Sequence, residues 1–258
     1  MLSLTAIEQQ YPEHLRPYKR ALLREYLQYK ILEIIFTSVF ARKLSFLGGT
    51  ALRIVYDNTR FSEDLDFDNF SLNEDEFAQL AEIVRAGLDA QGMRTEITLA
   101  GKEAYRCNVR FPGILHDNDL SPIEGEKVLV QIDSLAHGFS YEPDRKILNK
   151  FDVFTEIFAT PIDILLSQKI NAAISRRRPK GRDFFDIVFL LSRTLPNYIY
   201  LEAKLGIADA EALRARLLAA TAEFDFEALA RDVRPFLFNP SDAQRVEKFR
   251  DVIAQAKW

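Results

Sequence analysis

Cysteine is nearly absent: Cys107 is the only one in 258 residues. A single thiol excludes an internal disulfide and a multi-cysteine zinc site, and it fits a reducing compartment. Histidine is almost as scarce. His14, His116 and His137 lie far apart, without metal-ligand spacing. No apolar run is long enough to span a bilayer. The opening residues, MLSLTAIEQQYPEH, show no basic stretch followed by an apolar one, so no signal peptide is expected. The expected location is the cytoplasm, with no membrane partner. The GxSxG, Walker A and GxGxxG patterns are missing too, which removes the chemistries built on them. Positive charge is not in excess. The formal net charge is −4, so a nucleic-acid surface has to be a local patch.

What is present describes a soluble, well-filled protein. Apolar residues make up 48% and charged residues 28%, and twenty phenylalanines supply core. The length allows one large domain or two small ones. No internal repeat or low-complexity linker is visible. Leu15, Leu22, Leu23, Tyr26, Leu27, Ile31, Ile34 and Ile35 recur at helical spacing and predict a helix from about Glu13 to Ala41. A strand is expected at 43–47, a helix at 51–56 and a second strand at 65–67. Ser71 and Glu74 suggest a capping box for a helix reaching Ala90. Strands follow at 94–100 and 105–111, then a polar loop from His116 to Lys127. KVLVQIDSL alternates: Val128, Val130 and Ile132 share one face, and Leu129, Gln131 and Asp133 the other. From about Pro161 the pattern is helical, with two longer helices and then two or three shorter ones. Cys107, beside Asn108 on a strand, reads as a small core residue rather than a nucleophile.

The densest information lies between Phe46 and Asp68, FLGGTALRIVYDNTRFSEDLDFD. An apolar run ends in Gly48-Gly49-Thr50, and a helix follows. Such a turn offers backbone N–H groups and a hydroxyl to a phosphate. Asp64 and Asp66, two apart on a strand, project together, while Leu65 and Phe67 point the other way. Two neighbouring carboxylates repel, and an oxygen-seeking divalent cation resolves that conflict. A phosphate cradle beside a metal pair is the equipment of nucleotidyl transfer; the plainer alternative is a solvated edge strand. Asp68 continues the face and is expected to be solvated. Asp133, on the polar face of its strand, is either a third carboxylate of that site or an exposed strand residue.

The helical half adds charged residues in apolar company. Lys169 has Ile162, Leu165, Leu166 and Ala173 around it at helical spacing. It is a cation aimed at a triphosphate or a buried carboxylate, or an ammonium that snorkels to water. Asp183 and Asp186 share a face of an otherwise apolar helix. Their structural alternatives are an N-terminal cap for Asp183 and a salt bridge for Asp186. Arg176, Arg177, Arg178, Lys180 and Arg182 crowd into seven positions broken by Pro179 and Gly181. They suit triphosphate or RNA backbone, although a helix C-terminus alone accounts for one or two. Arg53 and Arg60 suit phosphates or salt bridges equally.

The Gly-Gly-Thr turn, helix and Asp-x-Asp strand resemble the polymerase-β-like nucleotidyltransferase superfamily. GGTALR followed by R-x-S-x-D-L-D-F, with K-x6-R-x5-R-D-x-x-D further on, is similar to the AbiEii/AbiGii-type nucleotidyltransferase toxins of bacteria. The likeness runs from about Leu44 to Arg193. Thr50 replaces the superfamily's commoner serine and keeps the hydroxyl. The resemblance implies an α/β (α+β) fold: a polymerase-β-like core with a small mixed sheet and N-terminal helices in residues 1–150, and a helical domain in 151–258 that completes the active site. It implies Asp64, Asp66, Lys169 and Asp183 as catalytic residues. Gly48, Gly49, Thr50, Ser62, Lys169 and Arg182 would bind nucleotide. Asp64, Asp66 and Asp133 would hold Mg2+ or Mn2+, and Arg176, Arg177, Arg178 and Lys180 would meet RNA. The implied reaction moves NMP from an NTP to an acceptor such as tRNA, in a toxin–antitoxin or phage-defence system with a cognate antitoxin encoded nearby. The rival readings are a same-fold transferase acting on a protein or a small molecule such as an antibiotic, and a non-catalytic nucleotide-binding module.

Overall fold

The stretch that carries the paired aspartates lies at the centre of a seven-stranded mixed sheet. The computed structural model describes residues 1–101 and 104–258. Two helices come first, α1 (Leu4–Glu8) and α2 (Lys19–Thr37), then β1 (Leu44–Leu47), α3 (Gly48–Tyr56), β2 (Leu65–Asn69) and α4 (Glu74–Ala90). Five strands follow: β3 (Glu96–Ala100), β4 (Tyr105–Pro112), β5 (Lys127–Leu135), β6 (Asp144–Lys150) and β7 (Val153–Ala159). The order across the sheet is β3-β4-β5-β2-β1-β7-β6. Strand β2 runs antiparallel to β1 and parallel to β5, and β1 runs parallel to β7.

The chain separates into two compact units. The first holds residues 1–56, 61–138 and 142–159, and the second holds 57–60, 139–141 and 160–258. In the first, α2 packs on the sheet through aromatic residues. Phe36 lies 6.1 Å from Phe67 and 6.2 Å from Phe158 between ring centroids, and Phe46 lies 5.5 Å from Phe67. Buried on almost every side, α2 carries Glu25 at 3% exposure. That charge is tolerated because Arg53 (2.9 Å), Lys150 (2.9 Å) and the Tyr11 hydroxyl (2.8 Å) all donate to it. Burial opposes ionisation of Glu25, and the two cations outweigh it and hold the carboxyl below its usual range. Arg53 is thus a salt-bridge partner.

In the second unit, α5 (Ile162–Ser175) and α6 (Gly181–Leu191) are followed by α7 (Tyr198–Leu205), α8 (Ala210–Ala220), α9 (Phe226–Val233), α10 (Gln244–Glu247) and α11 (Phe249–Gln255). Phe184 anchors the core, 5.2 Å from Phe226 and 4.9 Å from Phe249. Gly181 opens α6 against the Leu229 carbonyl oxygen, where a Cβ would overlap backbone.

Several boundaries differ from the periodicity. The long first helix divides into a 3-10 turn (Glu13–Leu15) and α2. Pro17 cannot donate the amide that a helix interior needs, and Ser38 leaves helical geometry at ψ 166°. The capping box of α4 is Asn73 with Glu76, not Ser71 with Glu74: the Asn73 side chain accepts from the Glu76 N–H at 2.9 Å, and Glu76 returns the bond at 3.1 Å. Helix α3 starts at Gly48 itself.

Candidate active site

The acidic face of β2 is set by its register. Leu65 and Phe67 are 0% and 1% exposed on the α2 side, so Asp66 projects from the opposite face; Asp64 comes just before the strand. Leu47 is the β1 partner of Asp66, which places Asp66 beside the turn that follows β1. Gly48 there has φ +79°, and a Cβ on it would overlap the Asp66 carboxylate. Glycine is needed twice over, for the left-handed backbone and for the room. Changing Gly48→Ala is therefore expected to destabilise the protein by about 1–3 kcal/mol and to displace Asp66. Thermal melting together with a nucleotide-transfer assay checks both.

Thr50 is 0% exposed, and its hydroxyl donates to the backbone carbonyl of Asp64. Its one proton thereby fastens α3 to the start of the acidic strand. Gln28 of α2 holds the same segment, donating to the carbonyls of Ser62 (3.1 Å) and Glu63 (3.0 Å). Gly49 is buried and Ser62 partly exposed.

Asp68 corrects the sequence expectation. It is 2% exposed, not solvated, because β2 continues to Asn69 between Ser45 of β1 and Leu135 of β5. Its Oδ1 accepts from the His137 N–H at 2.9 Å. Asp133 lies in register with Asp66 on β5. Arg106 of β4 donates to it through Nε at 2.7 Å and through a terminal nitrogen at 3.2 Å, and Gln131 adds a bond of 2.8 Å. Arg106 was not among the sequence candidates. Its alternation with Cys107 marks it as outward-facing, but only the β4–β5 register reveals its partner. Cys107 is buried, 1% exposed, and burial pushes its thiol up to about 12.

The second unit holds a knot of buried charge. Asp186 is 0% exposed. Arg60 grips it with two bonds of 2.7 Å, Asn58 donates at 2.8 Å, and the Lys169 ammonium lies 2.8 Å away. Lys169 also reaches Asp183 at 3.2 Å, and Arg176 pairs with the other Asp183 oxygen. Burial opposes charging of Asp186, and Arg60 and Lys169 prevail, holding it at about 2. Burial likewise works against the Lys169 charge, and Asp186 and Asp183 raise its pKa above the ordinary value. Lys169 therefore points at buried carboxylates and does not snorkel. Asp183 is an ion-pair partner, since the N-cap position of α6 belongs to Lys180. Arg60 is engaged with Asp186. Arg182 sits over the Phe236 ring at 4.9 Å, while Arg177, Arg178 and Lys180 are exposed between α5 and α6.

The donor set of the first unit suits Mg2+. Mg2+ favours one or two carboxylates supplemented by substrate phosphates over an all-protein cage. Among the described residues, no group of three or more His, Cys, Asp or Glu side chains is arranged to hold a metal. Asp64 and Asp66, two residues apart in the chain, are hard oxygen donors, which fits that habit.

Solved structures share this fold. An H. pylori protein described as a candidate nucleotidyltransferase superposes with a TM-score of 0.58 at 20% identity, over 90% of this chain and 94% of its own. JHP933 from Helicobacter pylori superposes with a TM-score of 0.54 at 19% identity, over 90% and 91%. No curated protein matches the sequence. The family described as nucleotidyl transferase AbiEii toxin, type IV toxin–antitoxin system, matches residues 30–256. The chain belongs to the AbiEii nucleotidyltransferase toxin family. Among the described residues, no helix is long and apolar enough to cross a membrane.

Proposed function

We propose that this nucleotidyltransferase is Mg2+-dependent and transfers NMP from an NTP to a hydroxyl of an RNA acceptor, with tRNA the acceptor to test first. The supporting observation is the placement of Asp66 on the face of β2 opposite the core, packed against the left-handed Gly48, with Asp64 immediately before the strand. Asp64 and Asp66 would hold the metal. When bound, Mg2+ (or Mn2+) supplies charge neutralisation on the phosphates and a lowered pKa for the acceptor hydroxyl. The acceptor oxygen bonds to the α-phosphorus, the bond to the bridging oxygen breaks, and pyrophosphate leaves with that electron pair. The hydroxyl proton passes to a base or to water. Gly48 and Gly49 lend backbone N–H groups to the triphosphate, and Thr50 both belongs to that cradle and keeps the acidic strand in place. Ser62 and Arg182 also belong to the nucleotide-binding proposal. Lys169 and Asp183 complete the catalytic set: Asp183 orients the ammonium, and loss of either is expected to lower transfer. The exposed Arg177, Arg178 and Lys180, with Arg176, offer a local basic patch on an acidic chain.

The family is one of toxins of type IV toxin–antitoxin systems; the proposal adds an antitoxin encoded nearby and a role in phage defence in the cytoplasm. Each of the four labelled NTPs, offered separately with tRNA and Mg2+, tests the chemistry. Label is expected in the RNA, with pyrophosphate released, and chelation should stop both. Label in protein or small molecules of a lysate, with none in RNA, would overturn the RNA acceptor. Absence of pyrophosphate release under every condition would overturn the transferase assignment.

A further inference from the structure

A cation at the end of the acidic row has no role in the scheme above. Arg106, Asp133, Asp66 and Leu47 are successive Cα partners across β4, β5, β2 and β1. Paired residues in a sheet share a face, and adjacent strands lie about 4.8 Å apart. The guanidinium of Arg106 therefore projects from the same face as Asp66, and the charges of both Asp64 and Asp66 act on it. Its side chain is 48% exposed, whereas those of Arg53 and Arg60 are 12% and 2% exposed. The bond to Asp133 raises the Arg106 pKa first, followed by the charge of Asp133 and, more weakly, those of Asp64 and Asp66.

Both Asp133 oxygens are already bonded, one to Arg106 and the other to Arg106 and Gln131. Coordinating a metal would break a charge-assisted, two-pronged pair. Arg106 spends two of its N–H groups on Asp133, and a guanidinium carries five. The remainder point from a partly exposed, fixed fork whose geometry matches phosphate oxygens.

We infer that Arg106 binds the phosphates of the incoming nucleotide, and that Asp133 is the residue that positions it instead of a third metal ligand. The inference rests on the nucleotidyltransferase reading and assigns that site a further substrate contact. Asp133 locks one edge of the guanidinium, so the side chain loses less freedom when it meets an anion. Its positive charge lies along the acidic row, where it offsets repulsion between the carboxylates and the triphosphate.

The test uses the full-length protein and three variants, Arg106→Gln, Arg106→Lys and Asp133→Asn, with melting curves to establish folding. Two bindings are measured: Mn2+ alone, and an NTP analogue with a methylene bridge between the α- and β-phosphates. Arg106→Gln is expected to weaken the analogue about tenfold or more and to raise KM more than it lowers kcat. Arg106→Lys should recover part of the loss, because charge persists without the fork. Asp133→Asn should weaken the analogue while Mn2+ affinity stays within about twofold, since second-sphere partners of a true ligand cost more than that. Loss of Mn2+ binding in Asp133→Asn, with tighter Mn2+ binding in Arg106→Gln, would make Asp133 a metal ligand and overturn the inference. So would unchanged analogue affinity in Arg106→Gln while the wild type binds. A wild type that binds no triphosphate would instead defeat the underlying nucleotidyltransferase reading and this inference with it.

Discussion

Replacing Asp66 with asparagine is expected to lower nucleotidyl transfer by about a thousandfold or more while the fold survives. Asparagine is nearly isosteric and keeps the contact against Gly48. It removes the charge that a divalent cation requires, and a thousandfold corresponds to about 4 kcal/mol of transition-state stabilisation. Stability should barely change, because Asp66 projects from the face opposite the buried Leu65 and Phe67. Asp64→Asn should behave alike. Asp68→Ala is the contrasting control: the buried Asp68 carboxylate accepts from the His137 N–H, so removing that acceptor should appear in melting curves. Single-turnover transfer from labelled NTP reads the first effect, and growth on expression gives a second readout. If Asp66→Asn transfers within about tenfold of wild type, metal binding by the acidic pair is ruled out.

The legible part of the site is the part governed by local geometry. Period two alone sets Asp66 opposite the buried Leu65 and Phe67, and the same rule sorts Val128, Val130 and Ile132 to the core, where they are 4%, 0% and 3% exposed. Lys169, surrounded by apolar neighbours on its helix, was recognisable as a lysine in need of an acid, and Asp186 and Asp183 are those acids. What stayed hidden depends on which strands become neighbours. Arg106 reaches Asp133 only because β4 pairs with β5 across a loop of fourteen residues, 113–126. Asp68 is buried only because β5 ends beside it and the following residues fold over it. The β6–β7 hairpin was not anticipated, for a local reason. DRKILNK buries only Leu148, and its tip uses Phe151 at φ +61° where a glycine would have signalled the turn. The helices beyond Leu191 outnumber the two or three expected, since all but α8 are elements of four to eight residues, which carry too few turns to show a period.

The Asp186 carboxylate should dominate the stability of the second unit. Asparagine there leaves Arg60 and Lys169 buried, facing a neutral group, and breaking a buried ion pair from one side costs about 3–5 kcal/mol. For a chain of this size, that corresponds to a fall in melting temperature of roughly 10 °C. A second measurement separates charge from shape. In the folded protein Asp186 is held at about 2, below the ordinary 3.8. A carboxylate depressed on folding stabilises the native state fully above its unfolded pKa, and that stabilisation is lost as pH falls through the folded value. The wild type should therefore lose an increment on the order of 2 kcal/mol between about pH 4 and pH 2 that Asp186→Asn does not lose. The increment is smaller than the mutational cost because a protonated carboxyl still accepts hydrogen bonds from Arg60 and Asn58, whereas asparagine turns a donor toward one of them. Urea melts of both proteins at stepped pH read the difference directly. Parallel acid limbs, or a variant within about 1 kcal/mol of wild type at neutral pH, would mean that water shields these charges far better than their burial implies.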